Sequence, residues 1–245
     1  MALFESTLFS DALGMETMAA VFYPGEKKRR GLTGETPVLY LYHGLSDNHT
    51  AWLRRSRIEA LAEAAGIAVV MPEVQRSYYA DMLYGPSYFQ YVADELPAFC
   101  REVFRLSDRR EDTFVAGLSM GGYGALRAAL THPERFAGAA SFSGAVEAAG
   151  HMRRNPKDCM AVNGGVVRPE EDLLRLAAGV SPAARPRLYL SCGLDDFLLE
   201  ENERFSASLD GLGWAHTYET WEGSHEWSFW DASIEKALRF FSLIK

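Results

Sequence analysis

The stretch GLSMGG, from Gly117 to Gly122, places one serine between glycines directly after a strand-like segment. In a G-x-S-x-G pattern of this kind, the serine occupies a strained turn between a strand and a helix, and the glycines remove side chains that would collide there. The preceding DTFVA favours a strand and the following GGYGALRAALTH favours a helix. Ser119 is therefore a candidate nucleophile; the alternative is that the glycines serve only a tight turn.

A serine hydroxyl attacks a carbonyl group efficiently only when a base removes its proton and a carboxylate orients that base. In a sheet protein with this turn, the acid and then the histidine follow the serine along the chain, each in a loop after a later strand. Of the six histidines, His225 alone lies in such a loop, within WEGSHEW after the last predicted strand. It is the candidate base, and the alternative is a residue that caps the final helix.

The candidate acid lies in GLDDFL, which follows the predicted strand RLYLSC and contains Asp195 and Asp196. One of the two carboxylates is expected to hold the tautomer of the histidine ring. The spacing does not choose between the neighbours, and either aspartate is also a common N-cap of the helix that follows.

The same chemistry requires an oxyanion hole, in which two backbone amides point at the developing negative charge. One donor is expected to be the amide of Met120, directly after the candidate nucleophile. The other is expected in YHGLSDN, where Gly44 frees the backbone and Leu45 offers its amide. The alternative for this segment is an ordinary turn between a strand and a helix.

Elements that could position these residues alternate along the chain as strand and helix, which is typical of a mostly parallel sheet with helices on both faces. An antiparallel hairpin around Gly14 is predicted ahead of them. Further predictions are one helix over 50–66, closed by Gly66, and one over 88–104 that Pro97 either bends or starts. We therefore expect an α/β fold.

No repeat or linker divides the chain, so residues 1–245 are interpreted as one domain. Residues 145–186 break the alternation with polar and turn-forming residues around one short helical segment, EEDLLRLAAG. Segments of this kind often cover an active site, so this one is predicted to be a cap.

The composition restricts the partners of the chain. Hydrophobic residues make up 48% of the 245 residues, which suffices for a sizeable core. The formal net charge is -8 and the pI is about 5.3, so no basic stripe is available for phosphates and nucleic acid is excluded as a partner. No run reaches the roughly 18 apolar residues of a membrane helix, so no membrane partner is expected. Self-association is left open.

The three cysteines indicate a reducing compartment. Cys100, Cys159 and Cys192 are odd in number and follow no metal or redox spacing, so we interpret them as reduced thiols in a cytoplasmic protein. The first residues, MALFESTLFSDALGMET, are acidic early and lack the apolar segment of a secretion signal.

Six ordered blocks resemble a known family: HGLSDNHTAWLRRS, PEVQRSYYADMLYG, ELPAFCRE, GLSMGGYGAL, CGLDDFL and EGSHEWSFW. Together they resemble the tributyrin esterase branch of the esterase D (S-formylglutathione hydrolase-like) α/β-hydrolases over nearly the whole chain. The resemblance implies an α/β-hydrolase fold and a carboxylesterase acting on short-chain acyl esters, acylated carbohydrates among them. It also implies that Asp196, in the fourth position of a G-x-x-D pattern, is the acid.

The resemblance further implies that the loop after the second core strand contributes to the pocket, with Arg76, Ser77, Tyr78 and Asp81 as candidates. The alternative for Arg76 is a salt bridge with Asp81 at the rim.

The flat aromatic faces of Trp52 and Trp227 would suit the wall of an acyl or alcohol pocket. Each of the two is equally consistent with a core position.

These placements predict hydrolysis of a small-molecule ester through an acyl-enzyme, with no metal or organic cofactor. Activity should fall below neutral pH as the base becomes protonated. Three alternatives are a thioesterase of the S-formylglutathione hydrolase type, an acyltransferase on the same scaffold, and a non-catalytic carbohydrate-binding module. The last would not need a serine, an acid and a histidine all in their expected loops.

Overall fold

The computed structural model of the chain describes residues 1–25 and 35–245, and the strands within these ranges form one sheet. In chain order the strands are β1 (Ala2–Ser10), β2 (Met15–Tyr23), β3 (Val38–Tyr42), β4 (Ala68–Pro72), β5 (Thr113–Leu118), β6 (Gly138–Phe142), β7 (Arg187–Gly193) and β8 (His216–Trp221). Their spatial order is β1-β2-β4-β3-β5-β6-β7-β8. Neighbours from β4 to β8 pair in parallel, as predicted, so the carboxyl ends of these strands meet at one edge.

The predicted N-terminal hairpin is confirmed. Strands β1 and β2 pair antiparallel over their whole length, from Ala2 opposite Tyr23 to Ser10 opposite Met15. Gly14 in the turn has φ +66°, a left-handed conformation that glycine adopts at no steric cost. Strand β2 then pairs antiparallel with β4, which joins the hairpin to the parallel part of the sheet.

Helices cover both faces of the sheet. They are α1 (Ala51–Arg55), α2 (Ile58–Ala65), α3 (Tyr88–Gln90), α4 (Leu96–Phe104), α5 (Met120–Thr131), α6 (Ala148–Arg154), α7 (Pro156–Asn163), α8 (Leu173–Gly179), α9 (Leu199–Gly211) and α10 (Trp227–Phe240). None of the helices in the described ranges is both long and apolar enough to cross a membrane.

The core consists of two layers, one on each face of the sheet. Because side chains alternate across a strand, Tyr40 and Tyr42 of β3 lie in the layer under α4, α5, α8 and α9, whereas Leu39 and Leu41 lie in the layer under α2 and α10. All five residues of β3 are buried, as expected for a parallel strand covered on both faces.

The single helix predicted over 50–66 is two helices, α1 and α2. Ser56 is extended (φ -138°, ψ 172°), its Oγ donates to Trp52 O, and it accepts from the Ile58 amide. These local hydrogen bonds of the Ser56 side chain compete with helical backbone bonds and interrupt the helix. The spacing of apolar residues, on which the prediction depended, does not show such an interruption. The predicted end at Gly66 is confirmed, with φ +69° in the left-handed region.

The predicted helix over 88–104 contains a wider, π-helical turn from Tyr91 to Glu95, which ends two residues before Pro97. Proline has no amide hydrogen, so the carbonyl of Ala93 lacks its usual helical partner. Arg135 Nη1 donates to that carbonyl at 2.8 Å. Pro97 therefore both disturbs the preceding turn and lies in the first turn of α4.

Residues 145–186 are more helical than predicted, because α6 and α7 are present besides α8, the one helix that the sequence indicated. Pro156 begins α7, and Gly164 ends it with φ +69°. Both helices are short and lack a clean apolar stripe, which explains why a pattern search missed them. Ala145, Arg154 and Asn155 of this segment form part of the cavity described below.

Candidate active site

Ser119 lies in the turn between β5 and α5, with φ 51° and ψ -115°. The flanking glycines are needed because of close backbone approaches. A Cβ at Gly117 would lie 2.4 Å from the carbonyl carbon of Gly121, and a Cβ at Gly121 would lie 2.4 Å from Tyr42 O. The strained turn thus brings the Ser119 hydroxyl to the carboxyl edge of the sheet.

The three residues predicted to form the triad lie in one hydrogen-bonded chain. His225 Nε2 is 3.0 Å from Ser119 Oγ, and His225 Nδ1 is 2.9 Å from Asp196 Oδ2 and 3.1 Å from Asp196 Oδ1. A proton on Nδ1 satisfies the carboxylate and leaves Nε2 free to accept the serine proton.

Asp196 is buried, whereas its neighbour Asp195 is exposed and takes no part in the chain. Burial by itself raises the pKa of Asp196, but the hydrogen bond and charge interaction with His225, together with the Leu198 amide, outweigh burial and hold this pKa below its usual value. The carboxylate is therefore charged under neutral conditions, which favours the Nδ1-protonated imidazole.

A cavity of about 300 Å³ lies above Ser119. One side is formed by residues at strand ends, among them Gly44, Leu45, Met120 and His225. The other side contains Tyr78 and residues from the 145–186 segment, namely Ala145, Arg154 and Asn155. The volume is at the lower end of the range for ligand sites, which suits a small ester.

The amides of Leu45 and Met120 both lie at this cavity, where the sequence predicts the oxyanion donors. Within the described part of the chain, neither amide donates a hydrogen bond to protein. Gly44 lets the loop pass close to the serine turn, since a Cβ there would lie 2.6 Å from Leu118 Cδ1. The two free amides are therefore available to a bound oxygen.

Trp52, predicted as a pocket wall, is a core residue instead. It is 1% exposed, its ring packs edge-on against Phe142 and Trp227, and its Nε1 donates to Tyr42 O at 3.0 Å. Trp227 is half-buried against Trp52 and Trp230 and does not line the cavity. The tryptophan that does line the cavity is Trp230, about one helical turn later, whose ring lies edge-on to His225.

Of the loop candidates, Tyr78 lines the cavity and Arg76 does not. Arg76 pairs with Asp158 at 2.7 Å on the protein surface, and not with Asp81. Asp81 instead accepts from the Gln90 amide. Ser77 is buried, and its Oγ accepts a hydrogen bond from the Tyr79 amide.

Several cavity residues were missed by the sequence analysis, namely Ser46, Asp47, Arg154, Asn155, Phe197 and Trp230. Arg154 and Asn155 lie in a segment with no motif, so no sequence signal identified them. Phe197 could have been found, because it directly follows the predicted acid; its ring lies 4.6 Å from that of His225 and is 66% exposed.

The described residues contain no group of three or more His, Cys, Asp or Glu side chains that could hold a metal ion.

The sheet, the serine turn and the acid and histidine loops define a serine hydrolase of the α/β-hydrolase fold. The chain belongs to the family described as putative esterase, whose model matches residues 10–241. It is 30% identical to an acetyl esterase of Caldicellulosiruptor saccharolyticus, over 100% of this chain and 99% of that protein. An S-formylglutathione hydrolase of Paracoccus denitrificans is 28% identical, over 55% of this chain and 54% of that protein.

Solved structures agree with this assignment. The substrate-bound fluorophosphonate-binding serine hydrolase F of Staphylococcus aureus superimposes with a TM-score of 0.91 at 32% identity, covering 98% of both chains. An S-formylglutathione hydrolase of the same organism gives a TM-score of 0.88 at 31% identity, also covering 98% of both. The predicted fold and the resemblance to the esterase D family are thereby confirmed, and the protein is an ester hydrolase.

Proposed function

We propose that the protein is a carboxylesterase that hydrolyses short-chain acyl esters through Ser119, His225 and Asp196. The observation that carries the proposal is the hydrogen-bonded chain from Asp196 through His225 to Ser119, which ends in a cavity of about 300 Å³. The relative named acetyl esterase supports the choice of a short acyl group.

In the first half of the reaction, Ser119 Oγ attacks the ester carbonyl while His225 Nε2 takes its proton. The amides of Leu45 and Met120 stabilise the negative oxygen of the tetrahedral intermediate, and the Asp196 carboxylate stabilises the imidazolium. His225 then returns the proton to the departing alcohol, leaving an acyl-enzyme.

In the second half, His225 removes a proton from water, the water attacks the acyl-enzyme, and the acid is released. Each oxyanion donor contributes on the order of 10²- to 10³-fold in rate. Because the base must be unprotonated when the serine attacks, kcat/KM falls once the base is protonated.

The cavity contains polar groups besides the apolar ones, including Asp47, Arg154 and Asn155. These groups support an alcohol part that carries hydroxyls, as in an acylated carbohydrate. A thioester of the S-formylglutathione type is the second candidate substrate, since two of the proteins compared above are named S-formylglutathione hydrolase.

The proposal is tested with p-nitrophenyl esters from acetate to octanoate, using the wild type and Ser119→Ala side by side. We expect the highest kcat/KM for the shortest acyl groups and a loss of about 10⁴-fold or more in the variant. S-formylglutathione and acetylated xylo-oligosaccharides, assayed beside them, decide between thioester and oxygen ester. Equal rates in wild type and variant would overturn the proposal.

We also propose that the enzyme is cytoplasmic. The three cysteines are buried free thiols, which supports a reducing compartment. Cell fractionation with an antibody against the chain tests this location.

A further inference from the structure

We propose that His43 is a positioning residue that holds the Gly44–Leu45 peptide so that the Leu45 amide points into the cavity. The inference rests on the proposed function, in which that amide is an oxyanion donor. His43 itself is 1% exposed and does not line the cavity, so it acts only through the peptide that follows it.

The tautomer of His43 follows from its two neighbours. The Val74 amide donates to Nε2 at 3.2 Å, so Nε2 carries no proton. The ring proton is therefore on Nδ1, which donates to Gly44 O at 2.7 Å. Glu73 Oε1 lies 3.7 Å from Nε2, beyond hydrogen-bonding distance. Burial lowers the pKa of His43, which agrees with a neutral ring.

The bond to Gly44 O determines the direction of the next amide. In a planar trans peptide the C=O and N–H bonds point in opposite directions, so fixing one fixes the other. Gly44 O faces the His43 ring and the Asp47 amide, which donates at 3.2 Å. The Leu45 N–H on the same peptide is thereby directed away from His43, on the side of the cavity.

The loop needs this restraint because residue 44 is glycine, which restrains rotation of its neighbouring peptides less than any other residue. A Cβ at this position would lie 2.6 Å from Leu118 Cδ1, so a larger residue would displace that side chain. His43 is itself well anchored, since Tyr79 Oη donates to its carbonyl oxygen at 3.0 Å. The imidazole thus anchors the Gly44–Leu45 peptide to the buried core.

Two substitutions separate positioning from packing. In His43→Asn the side-chain amide occupies the place of Nδ1 and still donates to Gly44 O, whereas in His43→Gln it occupies the place of Nε2 and faces Val74. We expect His43→Gln to lower kcat for p-nitrophenyl acetate about 10- to 100-fold with KM within about 2-fold, because part of one oxyanion donor is lost. His43→Asn should stay within about 5-fold of the wild type in kcat.

A second readout is inhibition by a trifluoromethyl ketone, whose adduct with serine places a negative oxygen at the donors. Its inhibition constant should rise in His43→Gln by the same factor as kcat falls. His49→Asn is the matched control, because His49 is also a buried histidine of this region but contacts Glu73 and not Gly44. It should keep the wild-type kcat.

Equal losses in the Asn and Gln variants, or a loss confined to KM, would overturn the positioning role. Ser119→Ala in the same assay distinguishes the two proposals, because undiminished activity there would overturn the proposed function and this inference with it. If a His43 variant does not fold, the tautomer of His43 in the wild type is measured instead, by two-bond ¹H–¹⁵N correlation NMR. We expect a neutral ring protonated at Nδ1. A ring protonated at Nε2 would contradict the inference.

Discussion

The two sides of the cavity are held by different forces. The side with Ser119 and Met120 is built from the ends of β5 and its parallel neighbours, whose backbone ladders fix each position. The side with Arg154 and Asn155 is built from two short helices that take no part in a strand ladder. Side-chain contacts attach it to the rest, among them Arg154 to Glu201 at 2.8 Å and Asn155 to Tyr78 Oη at 2.9 Å, together with two backbone hydrogen bonds from the amides of Leu83 and Tyr84.

This difference assigns different tasks to the two sides. Groups that must meet the reacting atoms within a few tenths of an ångström lie on the rigid sheet edge. Under the proposed function, groups that contact the acyl or alcohol part of the substrate lie on the helical segment, outside the strand ladders. Substitutions on the first side should therefore affect kcat, and substitutions on the second side should affect stability and substrate preference.

The largest effect is expected for Asp196→Asn on the sheet side. The asparagine amide would face His225 Nδ1 as a donor, which forces the ring proton onto Nε2 and leaves no acceptor for the Ser119 proton. We expect kcat to fall by about 10⁴-fold with little change in KM. Steady-state kinetics on p-nitrophenyl acetate measures kcat and KM separately. The control is Asp195→Asn, because Asp195 is exposed and does not contact His225. A similar loss in both variants would contradict the choice of acid.

Arg154→Ala should be the most destabilising of the changes on the opposite side. Glu201 is 5% exposed and would lose its cationic partner, while the Arg154 side chain itself is 30% exposed. We expect a loss of about 3 kcal/mol in the free energy of unfolding, measured by urea denaturation. The double variant with Glu201→Gln should recover part of this loss. A loss that is equal in the single and double variants would mean that the ion pair is not the cause.

His151 makes the same side sensitive to acid. Burial, chiefly, lowers the pKa of His151 to about 3, and its neutral ring is stacked on Tyr78 and hydrogen-bonded to Ala145 O. The unfolded chain takes up a proton near the ordinary value of 6.5 while the folded chain does not, so stability is lost as the pH falls below 6.5.

Between pH 7 and pH 5 this histidine should remove about 2 kcal/mol from the free energy of unfolding. The variant His151→Gln can still donate to the same carbonyl but does not titrate. Its free energy of unfolding should therefore fall by about 2 kcal/mol less than that of the wild type between pH 7 and pH 5. Urea denaturation at pH 7, 6 and 5 on both proteins measures the difference, because all other groups titrate alike in the two. Parallel curves would rule out a buried neutral His151.

The smallest effect is expected for Asn155→Ala, which removes one hydrogen bond to Tyr78. We expect about 1 kcal/mol of lost stability and a change in the ranking of acyl or alcohol groups, with kcat on p-nitrophenyl acetate within a few-fold of the wild type. The ester series described above measures the ranking. A kcat loss as large as that of Asp196→Asn would show that the two sides do not divide their tasks as argued.

Prediction from the sequence succeeded where local backbone rules apply. The serine turn, the hairpin at Gly14 and the end of a helix at Gly66 each depend on a few adjacent residues, and each is present. Prediction failed where a distant partner decides. Trp52 and Trp230 are the same residue type, so the sequence does not distinguish them. Trp52 of α1 packs against Trp227 of α10 in the core, whereas Trp230 of α10 lines the cavity.

The sequence by itself determined the alternation of strands and helices, the serine turn, and the loops in which the acid and the histidine are found, because motif and periodicity are properties of neighbouring residues. Spacing left Asp195 and Asp196 open, the family resemblance implied Asp196, and the structure places that carboxylate on His225. Only the tertiary structure decided that Arg76 pairs with Asp158 and that residues near 155 close the cavity. Such contacts join residues 29 to 82 positions apart, and their selection depends on how whole elements pack.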